Sequence, residues 1–240
     1  MDNTDDAGQR SPLPERAHPT PTRRTVLGGL IAGSLLVLYQ RSARAAFAMP
    51  SVPPPPIRFD VIRAGDVIGA HEVDFALAGD ALSVTTRIEV EVRVLNVKLF
   101  EFRHKGTEVW AAGRLQKFDS ETLDDDSKFF VVGRATADGF QMTNRKGVEM
   151  APADIMVASY WTPEIARRTQ LIDPQRGRVK EQQLLGKDSI KLSVASATVD
   201  ATRYTISGVN KGWVAYDDRG RWLAAELNKK GSDILYRVRG

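Results

Sequence analysis

Residues 82–94 alternate apolar and polar side chains without interruption. From Leu82 onward, every second residue is aliphatic or Thr, and the residues between them are Ser, Thr, Arg or Glu. A helix would scatter these apolar residues around its whole surface, whereas a strand places them on one face. β-Branched residues on one face and charges on the other are typical of a long antiparallel strand with one solvated side. The segment therefore predicts a sheet with one buried face.

Comparable stretches, separated by Gly and Asp turns, follow along most of the chain. The predicted strands are 57–63, 67–77, 82–94, 97–110, 114–122, 128–135, 140–150, 178–185, 189–194, 201–209, 212–216, 221–228 and 233–239. Many strands at this spacing favour a meander that closes into a barrel or sandwich. We therefore predict an all-β, mainly antiparallel fold, a large curved sheet forming a half-barrel or barrel, with one short helix or loop insertion.

The insertion falls at residues 151–168, where the β pattern stops. Thr162 and Pro163 predict the N-cap and first position of a short helix. Tyr160 and Trp161 precede them, between the two β-rich halves. Two interpretations are open: a lid or partner contact, because loops on a rigid scaffold often carry function, or a plug that packs one end of the sheet.

Composition excludes several classes of site. The 240 residues contain no cysteine, which excludes disulfides, thiolate catalysis and Cys-ligated metals. The formal net charge is +4, but after residue 48 the chain carries 28 basic and 26 acidic residues, which are interspersed along the sequence. Such a balance suits an ordinary solvated surface, and we expect no nucleic-acid partner.

The first 48 residues have the layout of an export signal. A polar stretch precedes Arg23 and Arg24, an uncharged segment covers 25–40, and small-x-small sequences end at Ala45 and Ala48. The uncharged segment is shorter than the roughly 18 residues of a membrane-spanning helix. We therefore predict cleavage after Ala45 or Ala48 and no stable membrane span afterwards.

Thr22-Arg23-Arg24-Thr25-Val26-Leu27 resembles the twin-arginine export motif, with Val26 and Gly28 in place of its usual Phe and Lys. The resemblance implies the twin-arginine translocase as a partner and a periplasmic location. An uncleaved anchor and a general secretory signal are the alternatives. The predicted organisation is a signal peptide at 1–48, a Pro-rich linker at 49–56 and a single antiparallel β-barrel-like domain at 57–240.

Catalytic motifs are scarce. His71 and His104 lie on different predicted strands, and no metal-ligand spacing, Gly-x-Ser-x-Gly elbow, phosphate loop or dinucleotide fingerprint is present. We expect no cofactor, no metal and no catalytic residue. A hydrolase with a dispersed site, using His71 or His104 and nearby carboxylates, stays open as an alternative.

Phe100 and Phe102 share one face of a predicted strand. They indicate either a filled core or the wall of an apolar cavity, because curved sheets and barrels often hold a ligand at their mouth. The candidate ligand-binding residues are therefore Phe100, Phe102, Tyr160 and Trp161, and the candidate ligand is a lipid or another apolar molecule.

Motifs along most of the chain resemble a family of exported proteobacterial proteins of unknown function. They are residues 59–63 (FDVIR), 68–75 (IGAHEVDF), 102–104 (FRH), 108–110 (EVW), 113–115 (GRL), 151–154 (APAD), 159–161 (SYW), Asp173 with Gly177-Arg178, and Trp213, Tyr216, Asp217, Gly220, Arg221 and Trp222. The family is remotely similar to the curved half-barrels of periplasmic lipoprotein carriers, which implies apolar-ligand binding without enzymatic activity. An envelope interaction or assembly protein, using a sheet edge or residues 160–163, is the alternative.

Overall fold

The structure, a computed structural model, describes residues 47–95 and 97–239. These residues form fifteen strands and one short helix. The elements are β1 (Ile57–Arg63), β2 (Asp66–Ala78), β3 (Ala81–Val94), β4 (Val97–Ala111), β5 (Arg114–Asp124), β6 (Ser127–Thr136), β7 (Gly139–Asn144), β8 (Gly147–Ala151), β9 (Met156–Val157), α1 (Pro163–Ala166), β10 (Gln170–Asp173), β11 (Arg178–Val194), β12 (Ala197–Gly208), β13 (Gly212–Tyr216), β14 (Trp222–Lys229) and β15 (Ser232–Val238).

All fifteen strands belong to one sheet, in the order β8-β7-β6-β5-β4-β3-β2-β1-β15-β14-β13-β12-β11-β10-β9. Every pair is antiparallel except β9 with β10. The pairing of β1 with β15 joins the two halves of the chain. The predicted all-β, mainly antiparallel fold is confirmed.

The sheet curves so strongly that one end packs against the buried face of the other half. The turn between β10 and β11 reaches β5, where the Ser120 hydroxyl donates to the Pro174 carbonyl at 2.7 Å. The same turn reaches β7, where the Asn144 amide donates to the Gly177 carbonyl at 2.9 Å. At Gly177 a Cβ would lie 2.8 Å from the side chain of Val131, so this close approach requires glycine.

The alternation predicted for residues 82–94 appears in β3, where Leu82 and Val84 are fully buried on the concave face and Arg87 and Glu89 are exposed on the other. The predicted single strand at 140–150 is wrong. It is the β7–β8 hairpin, because the Asn144 side chain accepts a hydrogen bond from the Lys146 backbone at 2.7 Å and so forms the turn.

The two strands predicted at 178–185 and 189–194 are one strand, β11, with a register shift between Leu184 and Gly186. Its far half pairs only with β12 and has exposed or half-buried residues on both faces. The alternation slips at this shift, where Leu185 is an extra residue and Leu184 and Leu185 are both exposed. Beyond it Ile190, Leu192 and Val194 alternate again and pack against a small apolar cluster. The sequence pattern broke at the bulge because an extra residue exchanges the two faces of a strand.

Residues 155–166 form a buried segment, here called the plug, that lies against the concave face. Ile155, Val157, Tyr160 and Ile165 are all at most 3% exposed. The predicted short helix is present as α1, with Pro163 at its start. The predicted side-chain cap is wrong in one respect, because Thr162 occupies the N-cap position without a side-chain hydrogen bond.

Arg23, Arg24 and Ala45 lie outside the described residues, and Ala48 is exposed. Phe47 and Met49 pack against the core, so contacts with the β domain begin upstream of the Pro-rich linker predicted at 49–56. Across residues 47–95 and 97–239, no helix is both long and apolar enough to span a membrane.

Candidate functional site

A cavity of about 580 Å³ lies between the concave face of the sheet and the plug. Most of its lining side chains are aliphatic or aromatic and come from β1 to β5, β14 and β15. The principal apolar members are Val61, Ile68, Ile88, Val90, Val92, Phe100, Phe102, Phe118, Trp222, Leu227, Ile234 and Tyr236. Small-molecule sites usually measure roughly 300–1,000 Å³ and are mostly apolar, so this cavity has the size and character of one.

Strand register determines which side chains meet on the cavity wall. Residues directly opposite one another in neighbouring strands share a face of the sheet. Val90 of β3 pairs with Phe102 of β4, and Val92 pairs with Phe100. The structure therefore places Phe100 and Phe102 side by side on the cavity wall.

The exposed residues among those lining the cavity in the described chain are all basic: Arg63, Arg176, Lys229 and Lys230. We call these four residues the basic rim. Of these four residues, only Lys230 has a carboxylate within ion-pair distance among the described residues, that of Asp124 at 2.8 Å. The Lys230 ammonium also lies 4.8 Å from the centre of the Phe100 ring. Lys229 differs from the other three, because its ammonium donates to the buried Asn210 side chain and burial lowers its pKa. In the described part of the chain, Arg63 and Arg176 therefore supply the unpaired positive charge of the rim.

His71 lines the cavity and is only 4% exposed. The rings of Phe59, Trp222 and Tyr236 surround its imidazole, with centroid distances of 5.8, 5.3 and 5.6 Å. Neither ring nitrogen has a hydrogen-bond partner among the described residues. Burial, with smaller contributions from His104 and Lys229, lowers the pKa of His71 to about 3. The imidazole is therefore neutral at physiological pH.

His104 lies in the same row as His71, because Ile88 pairs with both of them. Its Nδ1 atom is joined to the Thr122 hydroxyl by a hydrogen bond of 2.8 Å. Burial lowers the pKa of His104 to about 4. Unlike His71, this histidine has a local partner.

Glu108 lies deeper on β4 and is 2% exposed. Its Oε2 atom accepts hydrogen bonds from the indole nitrogens of Trp110 at 2.9 Å and Trp161 at 3.4 Å. Burial raises the pKa of Glu108 to about 7, and hydrogen bonds from Ser159, Trp110 and Trp161 partly offset that rise. Glu108 thus links the sheet to the plug.

His71, His104 and Glu108 all line one cavity, which is the arrangement that the hydrolase hypothesis requires. Their spacing does not support a catalytic unit. His71 and His104 are separated by a whole strand, a backbone distance of roughly 10 Å, and Glu108 is four residues from His104, or roughly 13 Å. In the described part of the chain no hydrogen bond joins any two of the three.

Tyr160 is a buried member of the plug and also borders the cavity. Its hydroxyl donates to Gln182 at 2.6 Å and accepts from Asn210 at 3.2 Å. Its carbonyl accepts from the Tyr216 hydroxyl at 2.8 Å. These bonds hold Tyr160 at φ 55, a backbone conformation unfavourable for a bulky residue.

Trp161 does not border the cavity but lies in an aromatic cluster behind the plug. Its ring is 5.4 Å from that of Phe47, 5.7 Å from Phe75 and 6.1 Å from Trp110. Tyr160, Trp161 and Thr162 are at most 7% exposed and Pro163 is half-buried, so little of residues 160–163 is open to a lid motion or a partner. Tyr160 and Trp161 therefore pack as buried members of the plug.

Sequence reasoning did not identify Thr86, Glu108, Gln182 or the basic rim as site residues. Thr86 occupies an inward position of an alternating strand, but a β-branched threonine is an ordinary strand residue there. Glu108 had a usable signal, because it is a charged residue at an inward position of such a strand. Gln182 and the rim had none, since their roles depend on contacts between distant segments. Within the described residues, no three His, Asp or Glu side chains are grouped to hold a metal ion.

A family model described as a domain of unknown function, DUF6134, matches residues 59–239, which include every cavity-lining residue. The chain belongs to this family. The family assignment agrees with the sequence resemblance in being β-rich and of unknown function. Comparison with curated proteins found no match.

A solved structure shares the fold. It is the crystal structure of a β-barrel-like protein of the domain of unknown function DUF1849 from Brucella abortus. The identity is 10% and the TM-score 0.57, and the match covers 80% of this chain and 97% of that one. At this identity the likeness extends to the fold alone.

Proposed function

We propose that this protein is exported and binds a lipid or another apolar ligand, without catalysing a reaction on it. The observation that carries the proposal is the apolar cavity of about 580 Å³ between sheet and plug. A buried apolar wall is favourable for a ligand because each Å² of apolar surface removed from water contributes roughly 25 cal/mol.

The basic rim supports an amphiphilic ligand. An acyl chain or ring system would contact Val90, Val92 and Phe102, while an anionic group at the opening would face Arg63 and Arg176. Basic residues around an apolar opening also favour approach to anionic lipid surfaces, at about 1 kcal/mol per Lys or Arg. The ligand class therefore follows from the combination of apolar walls and a cationic edge.

Export is the second part of the proposal, and it rests on the Arg23-Arg24 motif and the signal-like layout of residues 1–48. Replacing both arginines by lysine keeps the charge and removes the pair of guanidinium groups. We expect R23K/R24K to retain the protein inside the cell, as measured by fractionation and immunoblotting. Unchanged export of this variant would argue against the twin-arginine route.

Ligand binding is tested by filling the cavity. Val90 borders the cavity, whereas its neighbour Glu89 is exposed on the opposite face of β3. We expect Val90→Trp to weaken binding of the neutral fluorophore N-phenyl-1-naphthylamine at least tenfold, and Glu89→Trp to leave it unchanged. Titration by fluorescence measures both, with thermal melting to verify folding. No binding by the parent protein, or equal binding by folded Val90→Trp, would refute the cavity as the ligand site.

A further inference from the structure

Two buried polar side chains without partners lie next to each other on the cavity wall. Thr86 of β3 is 6% exposed, and its hydroxyl has no hydrogen-bond partner among the described residues. The same holds for both ring nitrogens of His71 on β2. Thr86 pairs with Val73 and His71 with Ile88, so His71 and Thr86 are diagonal neighbours on one face. Such neighbours have backbones roughly 7–8 Å apart, which one ligand group can bridge.

The residue directly opposite Thr86 is a glycine. Gly106 of β4 pairs with Thr86, and a Cβ there would lie 3.1 Å from the His104 ring and 3.5 Å from the Phe118 ring. A side chain at this position would therefore crowd the His104 ring beside Thr86. We call His71, Thr86 and Gly106 the polar recess.

Unpartnered polar groups are unusual in a protein interior. A buried donor or acceptor left without a partner destabilises a fold by about 1–3 kcal/mol, so native structures contain few of them. His71 and Thr86 contribute three such atoms to the wall of one cavity. Neither residue supports another part of the fold through a hydrogen bond, in contrast to His104 with Thr122. Their shared property is that both residues line the cavity.

The chemistry of the recess determines what it can bind. A neutral imidazole donates one hydrogen bond and accepts one, and a threonine hydroxyl does both. The surrounding side chains are the apolar or aromatic residues Phe59, Trp222 and Tyr236. Lys229 acts electrostatically on His71, but its ammonium donates to Asn210 and burial lowers its pKa. An ionised group would therefore lose its hydration without a free charged partner, whereas a hydroxyl would match both side chains.

We propose that the polar recess binds an uncharged hydroxyl group of an otherwise apolar ligand, between His71 and Thr86. This inference rests on the proposed ligand-binding function and names the chemical class of the ligand. The expected ligand is an alcohol or phenol whose hydroxyl enters the cavity, and not a molecule that is polar only at the basic rim.

The test uses two threonines of opposite orientation. Thr85 is the outward-facing neighbour of Thr86, so Thr85→Val and Thr86→Val remove the same hydroxyl from opposite faces of β3. The probes are naphthalene, 2-naphthol and 2-naphthoate, which share one ring system and differ in the polar group. Each competes with N-phenyl-1-naphthylamine in a fluorescence displacement assay at pH 7.

We expect the parent protein to bind 2-naphthol about fivefold or more tightly than naphthalene, the preference that one net hydrogen bond supplies. Thr86→Val abolishes this preference, Thr85→Val retains it, and His71→Phe reduces it. Binding of 2-naphthoate is the same in both threonine variants. Thr86→Val also leaves the melting temperature of the ligand-free protein unchanged or higher, because it removes a hydroxyl that lacks a partner. A hydroxyl with a purely structural role would lower it.

The result separates the two proposals. Failure of the parent protein to bind N-phenyl-1-naphthylamine contradicts the proposed function itself. Binding of that fluorophore, with equal affinity for naphthalene and 2-naphthol or an equal preference in Thr85→Val and Thr86→Val, overturns the polar recess alone. An equal loss of 2-naphthoate and 2-naphthol binding in Thr86→Val overturns the assignment to an uncharged group.

Discussion

Gln182 connects the plug to the sheet through a single side chain. It is 1% exposed, and its Oε1 atom accepts from the Tyr160 hydroxyl at 2.6 Å. Its Nε2 atom donates to the carbonyls of Ile165 and Arg168 at 3.0 and 3.1 Å. Ile165 lies in the last turn of the four-residue helix α1, and its carbonyl also accepts from the Arg168 backbone at 3.2 Å. Arg168 lies just beyond the helix, where carbonyls have no following turn to bond them. The Gln182 amide therefore provides hydrogen-bond partners both for the Tyr160 hydroxyl and for carbonyls at the end of α1.

We expect Gln182→Ala to lower the free energy of unfolding by about 3 kcal/mol, because several buried groups lose their partners together. Gln183→Ala is the matched control, since Gln183 is the exposed neighbour on the same strand, and it changes stability by less than about 0.5 kcal/mol. Urea denaturation at pH 7 measures both. Equal effects of the two substitutions would contradict the role assigned to Gln182.

Single-residue roles were only partly visible in the sequence. Phe100 and Phe102 were identified as cavity candidates because their spacing puts them on one face of a strand. Thr86 occupies an inward position of the same kind as Leu82 and Val84, and a β-branched threonine looks like an ordinary strand residue there. Its distinction is an unpartnered hydroxyl beside Gly106, and that depends on the register between β3 and β4.

Among the segments of the chain, the one before β1 departs most from its predicted role. Residues 53–56 are a proline run without strand or helix, as a linker requires. Upstream of it, the Phe47 backbone donates to the Gly113 carbonyl at 3.2 Å. The Phe47 ring lies 5.9 Å from that of Trp110 and 5.4 Å from that of Trp161. The segment therefore covers the aromatic cluster behind the plug.

We expect Phe47→Ala to lower the free energy of unfolding by about 1–2 kcal/mol, through lost apolar burial and lost aromatic contacts. Val52→Ala is the control, because Val52 is 69% exposed in the same segment and should be nearly neutral. Thermal and urea unfolding of both variants measure the difference. A neutral Phe47→Ala would show that the segment does not contribute to the fold.

Phe47 also distinguishes the two proposed cleavage sites. Cleavage after Ala45 keeps Phe47 in the mature protein, and cleavage after Ala48 removes it. Because the ring packs against Trp110 and Trp161, we expect cleavage after Ala45. The N-terminal sequence of the exported protein decides this: a chain beginning at Ala46 supports the expectation, and one beginning at Met49 contradicts it.

At the level of the whole molecule, three buried groups couple stability to pH in opposite directions. His71 and His104 have folded-state pKa values of about 3 and 4, lowered from 6.5. They stabilise the folded state above pH 6.5, and that contribution is lost as pH falls toward those values. Glu108 has its pKa raised from 4.5 to about 7, so it destabilises the folded state progressively as pH rises from 4.5 to 7.

Near pH 5 the two histidine contributions exceed the opposing one from Glu108 by about one proton, and the excess shrinks toward pH 6.5, where the unfolded-state histidines are half protonated. The expected net loss of stability on acidification is about 1.5 kcal/mol over this interval, at roughly 1.4 kcal/mol per pH unit per proton. We expect His71→Phe to make stability nearly independent of pH over the same interval, because one histidine then balances Glu108. Urea denaturation at several pH values measures the slopes, and equal slopes in both proteins would contradict the prediction.

The fold class could be predicted from short-range sequence patterns. Alternation in β3 and turns of Gly, Asp and Asn require only neighbouring residues to predict an antiparallel meander, because strand faces repeat every two residues. The same reasoning predicted the short helix at Pro163. Where an extra residue interrupts the alternation, as at the register shift between Leu184 and Gly186 of β11, the prediction broke one strand in two.

The cavity and its chemistry depend on contacts between residues far apart in the chain. β1 pairs with β15, residues 155–166 pack onto β4, and the turn at Gly177 rests against Val131. No periodicity encodes these contacts, since they follow from how a twisted sheet closes on itself. The alternation in residues 82–94 therefore established that one face is buried, while the curvature of the sheet determined that this face surrounds a cavity with His71 and Thr86 on its wall.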